Sequence, residues 1–270
     1  MADRSSTYVL QGGEKAAERL ETLAAAAWRG TERLLGRIGV AHGWSCLDVG
    51  CGSGDVAIRL ADIVGPEGRV VGEDFDEGIL DVARSRARRE GARVEFVAGS
   101  ILDRASGEAC DLVYARFLLS HLAAPMDALA RMLGSVRPGG IVAVEDVDFH
   151  SHFCWPPGEA FARYDALYRE TALRLGADPL IGPKLPGMFL DLGLEDVGLE
   201  VVEPLFHEGP GKRMPELTME HIRGAVVETG AATDEEVDAI VAELGRLRRD
   251  PRSVMGFPRV FQVWGRRPGA

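Results

Sequence analysis

Apolar positions along the chain follow two rhythms, one of short runs and one of helical stripes. Short apolar runs at 45–49, 69–72, 93–97, 111–114 and 141–144 predict five strands. Between them lie helical stripes. Val56, Ala57, Leu60, Ala61 and Val64 share one face of a segment that Gly65-Pro66 stops. Asp76 reads as the N-cap of a helix with Ile79, Leu80, Val82 and Ala83 on its buried side, ended by Gly91. A helix over 126–136 follows Pro125, and Arg137-Pro138-Gly139-Gly140 breaks it before the fifth strand. Strands alternating with helices predict an α/β fold with a mostly parallel sheet.

The flanks are helical. Over 14–38, Leu20, Leu23, Ala24, Ala27 and Trp28 form one apolar face that Leu34, Leu35 and Ile38 continue. Helices are predicted over 159–175, after a 178–186 loop to Leu192, and near 215–229 and 233–249. The last begins with Thr233-Asp234-Glu235-Glu236, the form of a capping box. A sixth strand is expected at about 194–203 and a last one at 260–264.

The stretch Cys46-Leu47-Asp48-Val49-Gly50-Cys51-Gly52-Ser53-Gly54-Asp55 ends a strand in three glycines at alternate positions. Glycine suits a turn with φ > 0 and lets a ligand approach the backbone without meeting a Cβ. The following helix offers free N–H groups in its first turn. The pattern is Asp-x-Gly-x-Gly-x-Gly rather than the Gly-x-Gly-x-x-Gly of dinucleotide sites. A pyrophosphate wants only N–H donors, whereas a ligand with a cationic amino group also wants a carboxylate, here Asp48. A second acid, Asp74, lies 20 positions after Gly54, where a Rossmann-like unit places the group that holds ribose hydroxyls. Glu73 is its rival under a register error of one.

These residues resemble motif I and the acidic second strand end of the class I S-adenosylmethionine-dependent methyltransferases. The resemblance implies a Rossmann-like seven-stranded, mostly parallel sheet with helices on both faces. It also implies an N-terminal helical cap over 1–40, and a methyltransferase domain over 41–270 in one structural unit. Helical lid insertions are expected at about 150–190 and 205–256. The implied cofactor is S-adenosyl-L-methionine, with S-adenosyl-L-homocysteine as product. By resemblance its binding residues are Tyr8, Asp48, Gly50, Cys51, Gly52, Gly54, Asp74, Phe75, Gly99, Ser100, Ile101 and Arg116. Phe75, with Ile79 as the alternative, covers the adenine face. Ser100 stands where many relatives carry Asp, and its hydroxyl can still accept from the adenine amino group, with Asp103 as the alternative acceptor. Tyr8 contacts the methionine end or packs on the first helix. Arg116 pairs with the cofactor carboxylate or with a backbone carbonyl.

His121 resembles the His of the family's Arg-x-x-Leu-x-His stretch. It positions the methionine end, serves as a base, or is a structural histidine held by a carbonyl. A second cluster, Glu145-Asp146-Val147-Asp148-Phe149-His150-Ser151-His152, follows the fifth strand. From it Asp146 and His150 join His121 as candidate catalytic residues. The His and Asp spacing matches no zinc motif, so no metal is expected.

Composition narrows the chemistry further. With 31 Lys and Arg against 42 Asp and Glu, the net charge of −11 disfavours general nucleic-acid binding. The Arg84–Arg89 patch reads as a solvated helix face. No apolar stretch approaches the length of a membrane span, so the expectation is a cytoplasmic protein without a membrane partner. Cys46, Cys51, Cys110 and Cys154 show no paired spacing and read as reduced thiols. The expected activity is methyl transfer to a small, partly apolar organic acceptor, with O-methylation favoured over N- or C-methylation. An RNA or protein methyltransferase, or a non-methylating S-adenosylmethionine binder, are the alternatives. A homodimer is allowed for.

Overall fold

The structure, a computed structural model, describes residues 14–103 and 109–269, with side chains from residue 19 onward. Tyr8 lies outside the described residues. The strands are β1 Ser45–Val49, β2 Arg69–Asp74, β3 Glu95–Ala98, β4 Cys110–Arg116 and β5 Val136–Asp148. They continue with β6 Phe153–Trp155, β7 Glu195–Val202, β8 Leu205–Phe206, β9 Val254–Gly256 and β10 Arg259–Arg266. The helices are α1 Glu14–Ile38, α2 Asp55–Val64, α3 Glu77–Glu90, α4 Pro125–Ser135, α5 Glu159–Arg174, α6 Leu185–Asp191, α7 Met214–Glu228 and α8 Asp234–Arg249.

Seven strands form one sheet in the order β3-β2-β1-β4-β5-β10-β7. β10 alone runs against its neighbours β5 and β7, and the remaining pairs are parallel. This is the expected Rossmann-like architecture. Side-chain alternation explains why it is buried on both faces. Cys46, Leu112, Tyr114, Ile141 and Ala143 point to one face, where Leu34, Leu35, Val56, Ala57 and Leu60 of α1 and α2 cover them. Leu47, Val113, Ala115, Val142 and Val144 point to the other, under Leu129, Met132, Leu185 and Phe189 of α4 and α6. A third core lies among α5, α7 and α8, with Tyr164, Leu167, Met219, Ile222, Ile240 and Leu244 buried together.

Helix ends follow local chemistry. Asp76 accepts hydrogen bonds from the Gly78 and Ile79 amides at 2.9 and 3.3 Å. Thr233 Oγ1 accepts from the Glu236 amide at 3.2 Å. Val82, expected on the buried side of α3, is exposed, because only Leu80, Ala83 and Ala87 face the sheet.

Two departures come from long-range pairing. The fifth strand begins at Val136 rather than 141, and Gly139 at φ 74° absorbs the irregularity opposite β4. It also continues to Asp148, where Glu145–Asp148 were expected to follow the strand, because β10 extends the ladder to Arg259↔Asp148. A small second sheet, β6-β9-β8, has strands too short to carry a periodic signal. Among the described residues, no helix is long and apolar enough to cross a membrane.

Thr233→Ala should leave the Glu236 amide without its side-chain acceptor and cost about 1 kcal/mol, read as a lower midpoint in chemical denaturation.

Candidate active site

In an open α/β sheet, ligands bind where strand order reverses, beyond the carboxyl ends of the strands. Here that point lies between β1 and β4, and the glycine turn stands on it. Gly50, Gly52 and Gly54 take φ of 68°, 53° and 78°. The Gly50 and Cys51 amides donate to the Glu73 carbonyl at 2.7 and 3.0 Å, and the Gly52 amide donates to Asp74 Oδ2 at 2.9 Å. The other Asp74 oxygen accepts from the Asp76 amide at 3.1 Å. A Cβ on Gly50 would sit 2.9 Å from Leu118 Cδ1, whereas one on Gly52 would meet no protein atom within 4 Å. The space above Gly52 is cavity.

Asp48, one residue before the end of β1, is 2% exposed. Its Oδ2 has no hydrogen-bond partner among the described residues. Burial pushes its pKa up to about 7, against the opposing pull of Arg116. Burial also raises Asp74. Arg116 is engaged elsewhere, donating to Asp55 Oδ2 and Thr31 Oγ1, each at 3.1 Å. Asp55 also receives Arg86 at 3.1 Å. The Thr31 contact ties α1 to the sheet edge.

From this turn a cavity of about 810 Å³ runs beneath α1 to the α5–α7 core. The structure brings Asp48, Gly50, Cys51, Gly52, Asp74, Phe75, Arg116 and His121 to its walls. Glu73, the rival of Asp74, is buried and does not line it. Gly54 stands outside the lining and starts α2. Gly99, Ser100 and Ile101 also stand outside. Gly99 donates to the Asp74 carbonyl at 2.9 Å, Ser100 Oγ accepts from the Leu102 amide at 3.3 Å, and Ile101 packs in the sheet core.

The far end of the cavity is walled by Phe117, Phe149, His152, Tyr164, Tyr168 and His221. His121 sits in a 3-10 turn over Leu119–His121. Burial, then Arg19, lowers its pKa to about 4, so it is neutral near pH 7. Asp146 is buried behind it rather than in the lining, and accepts from the Ser120 and Val147 amides at 3.0 and 2.9 Å. Asp146 therefore holds the segment that carries His121. His150 points out, its side chain 59% exposed and its Nδ1 2.8 Å from Asp148 Oδ1. His152, two residues on, points in. Its Nδ1 lies 3.0 Å from Asp165 Oδ1, and Arg169 pairs with the other Asp165 oxygen at 2.9 Å. Sequence reasoning did not single out Asp55, Asp165, Arg19 or His221. Each depends on contacts between elements distant in sequence, which spacing along the chain does not encode. Among the described residues, no His, Cys, Asp and Glu cluster could hold a metal ion.

Residues 46–140 match a family described as a methyltransferase domain. The demethylmenaquinone methyltransferase of Geobacillus kaustophilus is 35% identical over 116 residues, covering 42% of this chain and 49% of that protein. The 2-phytyl-1,4-naphthoquinone methyltransferase of Trichormus variabilis is 30% identical over 173 residues, covering 61% of this chain and 71% of that one. The chain belongs to the class I S-adenosylmethionine-dependent methyltransferases. It spans about half the length of the demethylmenaquinone methyltransferases it matches. The fold also matches phosphoethanolamine N-methyltransferase 2 of Haemonchus contortus, solved with phosphomonomethylethanolamine and S-adenosylhomocysteine. That structure has a TM-score of 0.57 at 17% identity, covering 89% of this chain and 53% of that one.

The residues present fit the cofactor of this family. An orphaned buried carboxylate oxygen on Asp48 suits a cationic amino group, and the open face of Gly52 suits close backbone approach. Asp74, with a carboxylate at the cavity wall, suits ribose hydroxyls, and the half-exposed Phe75 and Ile79 suit a flat base.

An ammonium beside Asp48 favours its ionised form, so binding should expel a proton from the protein. Near pH 7, calorimetry in buffers of different ionisation enthalpy should register net proton release. Affinity should rise with pH through about 7, until the ligand's own α-amino group deprotonates at about 8. Asp48→Asn should abolish the release; release that persists would assign the proton to another group. Asp74→Ala should weaken S-adenosylmethionine binding about tenfold or more. Gly52→Val should abolish binding, since it fills the cavity and strains a left-handed backbone.

Proposed function

We propose that the chain transfers a methyl group from S-adenosylmethionine to a small organic acceptor with an apolar body, O-methylation being favoured. The observation that carries this reading is one continuous cavity. It joins the glycine turn and its two acids to a chamber of aromatic and histidine side chains. About 810 Å³ shared between cofactor and acceptor leaves no room for a folded macromolecule at the reacting end. The names of the two bacterial relatives, a demethylmenaquinone and a 2-phytyl-1,4-naphthoquinone methyltransferase, also favour an organic acceptor with an apolar body.

When bound, the cofactor supplies an electrophilic methyl group on a positively charged sulfur. The chain's own residues do the rest by position and exclusion. Phe117, Phe149 and Tyr168 keep bulk water from the chamber, and Tyr168 stacks on Phe149 with centroids 4.4 Å apart. A hydroxyl acceptor must lose its proton as the new bond forms. Of the neutral imidazoles that line the chamber, His121, His152 and His221, the first two are the candidates to take it. Asp165 orients the His152 ring and stabilises its protonated form, the arrangement of a general base. His121 is favoured by the resemblance to the family's Arg-x-x-Leu-x-His stretch. Asp146 is a positioning residue, and His150 stands outside the chamber.

A survey of phenols, amines and acids with methyl-labelled cofactor, read by product mass, tests the reaction class. Transfer to a protein or RNA fraction alone would refute it. With an acceptor in hand, removal of the operating base should lower turnover about 10²- to 10⁴-fold and leave cofactor affinity nearly intact. His121→Ala and His152→Ala separate the candidates. A large loss of cofactor affinity in His121→Ala would move that residue to the binding set.

A further inference from the structure

The chamber contains a cation that no described carboxylate matches. Arg19, on the inner side of α1, is 8% exposed and lines the cavity. Its hydrogen bond among the described residues is a long one, from Nε to Thr218 Oγ1 of α7 at 3.4 Å. No ion pair joins it to a described acid. Asp165, on α5, serves His152 and Arg169. A guanidinium carries five N–H donors in a fixed fork, and one long bond uses little of that capacity.

Three titratable groups that feel its charge are neutral near pH 7. Burial, then Arg19 itself, lowers both His121 and His221 to about 4. Burial pushes Tyr168 up to about 12, so its phenol stays protonated. His221 adds an independent observation: its Nε2 is buried and has no hydrogen-bond partner among the described residues. An unpaired buried charge is costly, and so is an unmet polar atom. One ligand group would answer both, a negatively charged oxygen group lying between α1 and α7.

We infer that the acceptor carries an anionic oxygen group, a carboxylate or a phosphate monoester, seated on Arg19 and His221. This rests on the reading that this end of the cavity takes the acceptor. The two charge regions of the cavity support that division. The turn end is acidic, with Asp48, Asp55, Asp74 and Asp76, and suits a cationic cofactor. Among the described residues, the α7 end has Arg19 as its one charged group, with neutral donors and aromatic walls. The acceptor class is then an aromatic or otherwise apolar acid whose charged end lies against α1 and α7.

The test is binding, with no turnover needed. The full chain is first saturated with S-adenosylhomocysteine, then titrated by calorimetry with 2-naphthoate, 2-naphthamide and 2-naphthyl phosphate. Expected is an advantage of about tenfold or more for at least one anion over the neutral amide. The preferred anion then tells carboxylate from phosphate recognition. Arg19→Gln should remove that advantage and leave the amide unchanged, while Arg19→Lys should keep part of it. Thermal melts of each variant check that α1 remains docked, and His221→Leu, which spares the α1–α7 contact, should also reduce the advantage.

Equal binding of acid and amide, no binding of either anion, or an advantage that survives Arg19→Gln would each overturn the inference. So would an Arg19→Gln variant that loses S-adenosylhomocysteine affinity while its acid preference is unchanged. That result would assign Arg19 to the cofactor carboxylate. Failure of the methyl-transfer reading would show earlier and differently, as no S-adenosylhomocysteine binding before any naphthyl probe is added.

Discussion

The site depends on a clasp between the turn after β1 and the end of β2. Three successive amides, of Gly50, Cys51 and Gly52, are held by the Glu73 carbonyl and the Asp74 carboxylate. A run of glycines has no side chains to order it, and glycine loses more conformational freedom on folding than any other residue. The clasp provides that order from the neighbouring strand. Net contributions of about 0.5–1.5 kcal/mol per neutral hydrogen bond, and more for the carboxylate, suit a local task of this size. Because Asp74 both holds the turn and faces the cavity, the shape of the turn and the sugar-binding acid are set by one residue.

Much of this was legible from spacing, because the information is local. The Asp48 to Gly54 run and Asp74 belong to a single strand–turn–helix–strand unit, and a unit of that length leaves its pattern in consecutive residues. The adenine side was less legible. Gly99, Ser100 and Ile101 were placed by resemblance, yet Ser100 is occupied by its own loop and Ile101 by the core. The acid and histidine cluster after the fifth strand shows the limit most clearly. Pairing with β10, more than a hundred residues away, continues the strand through Asp148. A 3-10 turn over Phe149–Ser151 then sends His150 outward and His152 inward. A shift of two residues reverses which histidine meets the cavity. Only tertiary contact with Asp165 on α5 distinguishes them.

Charge is unevenly distributed in a chain with a net charge of −11. Buried acids gather at the carboxyl ends of β1 and β2. The buried cations answer them selectively. Arg116 is taken up by Asp55 and Thr31, leaving Asp48 with an unmet oxygen. Desolvation raises the Asp48 proton affinity until it sits near neutrality. A group poised in this way responds to an arriving positive charge by changing its own protonation, which couples occupancy of the turn to the pH of the medium.

α1 belongs to two layers at once. Its second half, with Leu34, Leu35 and Ile38, is welded into the hydrophobic layer under the sheet. Its first half overhangs the cavity and carries Arg19. Thr31, close to the junction, is latched to Arg116. Any swing of the overhang about that latch carries the guanidinium away with it, so uncovering the chamber and withdrawing its positive charge are a single mechanical event. A molecule held there by its charge is let go by the same displacement that clears its path outward.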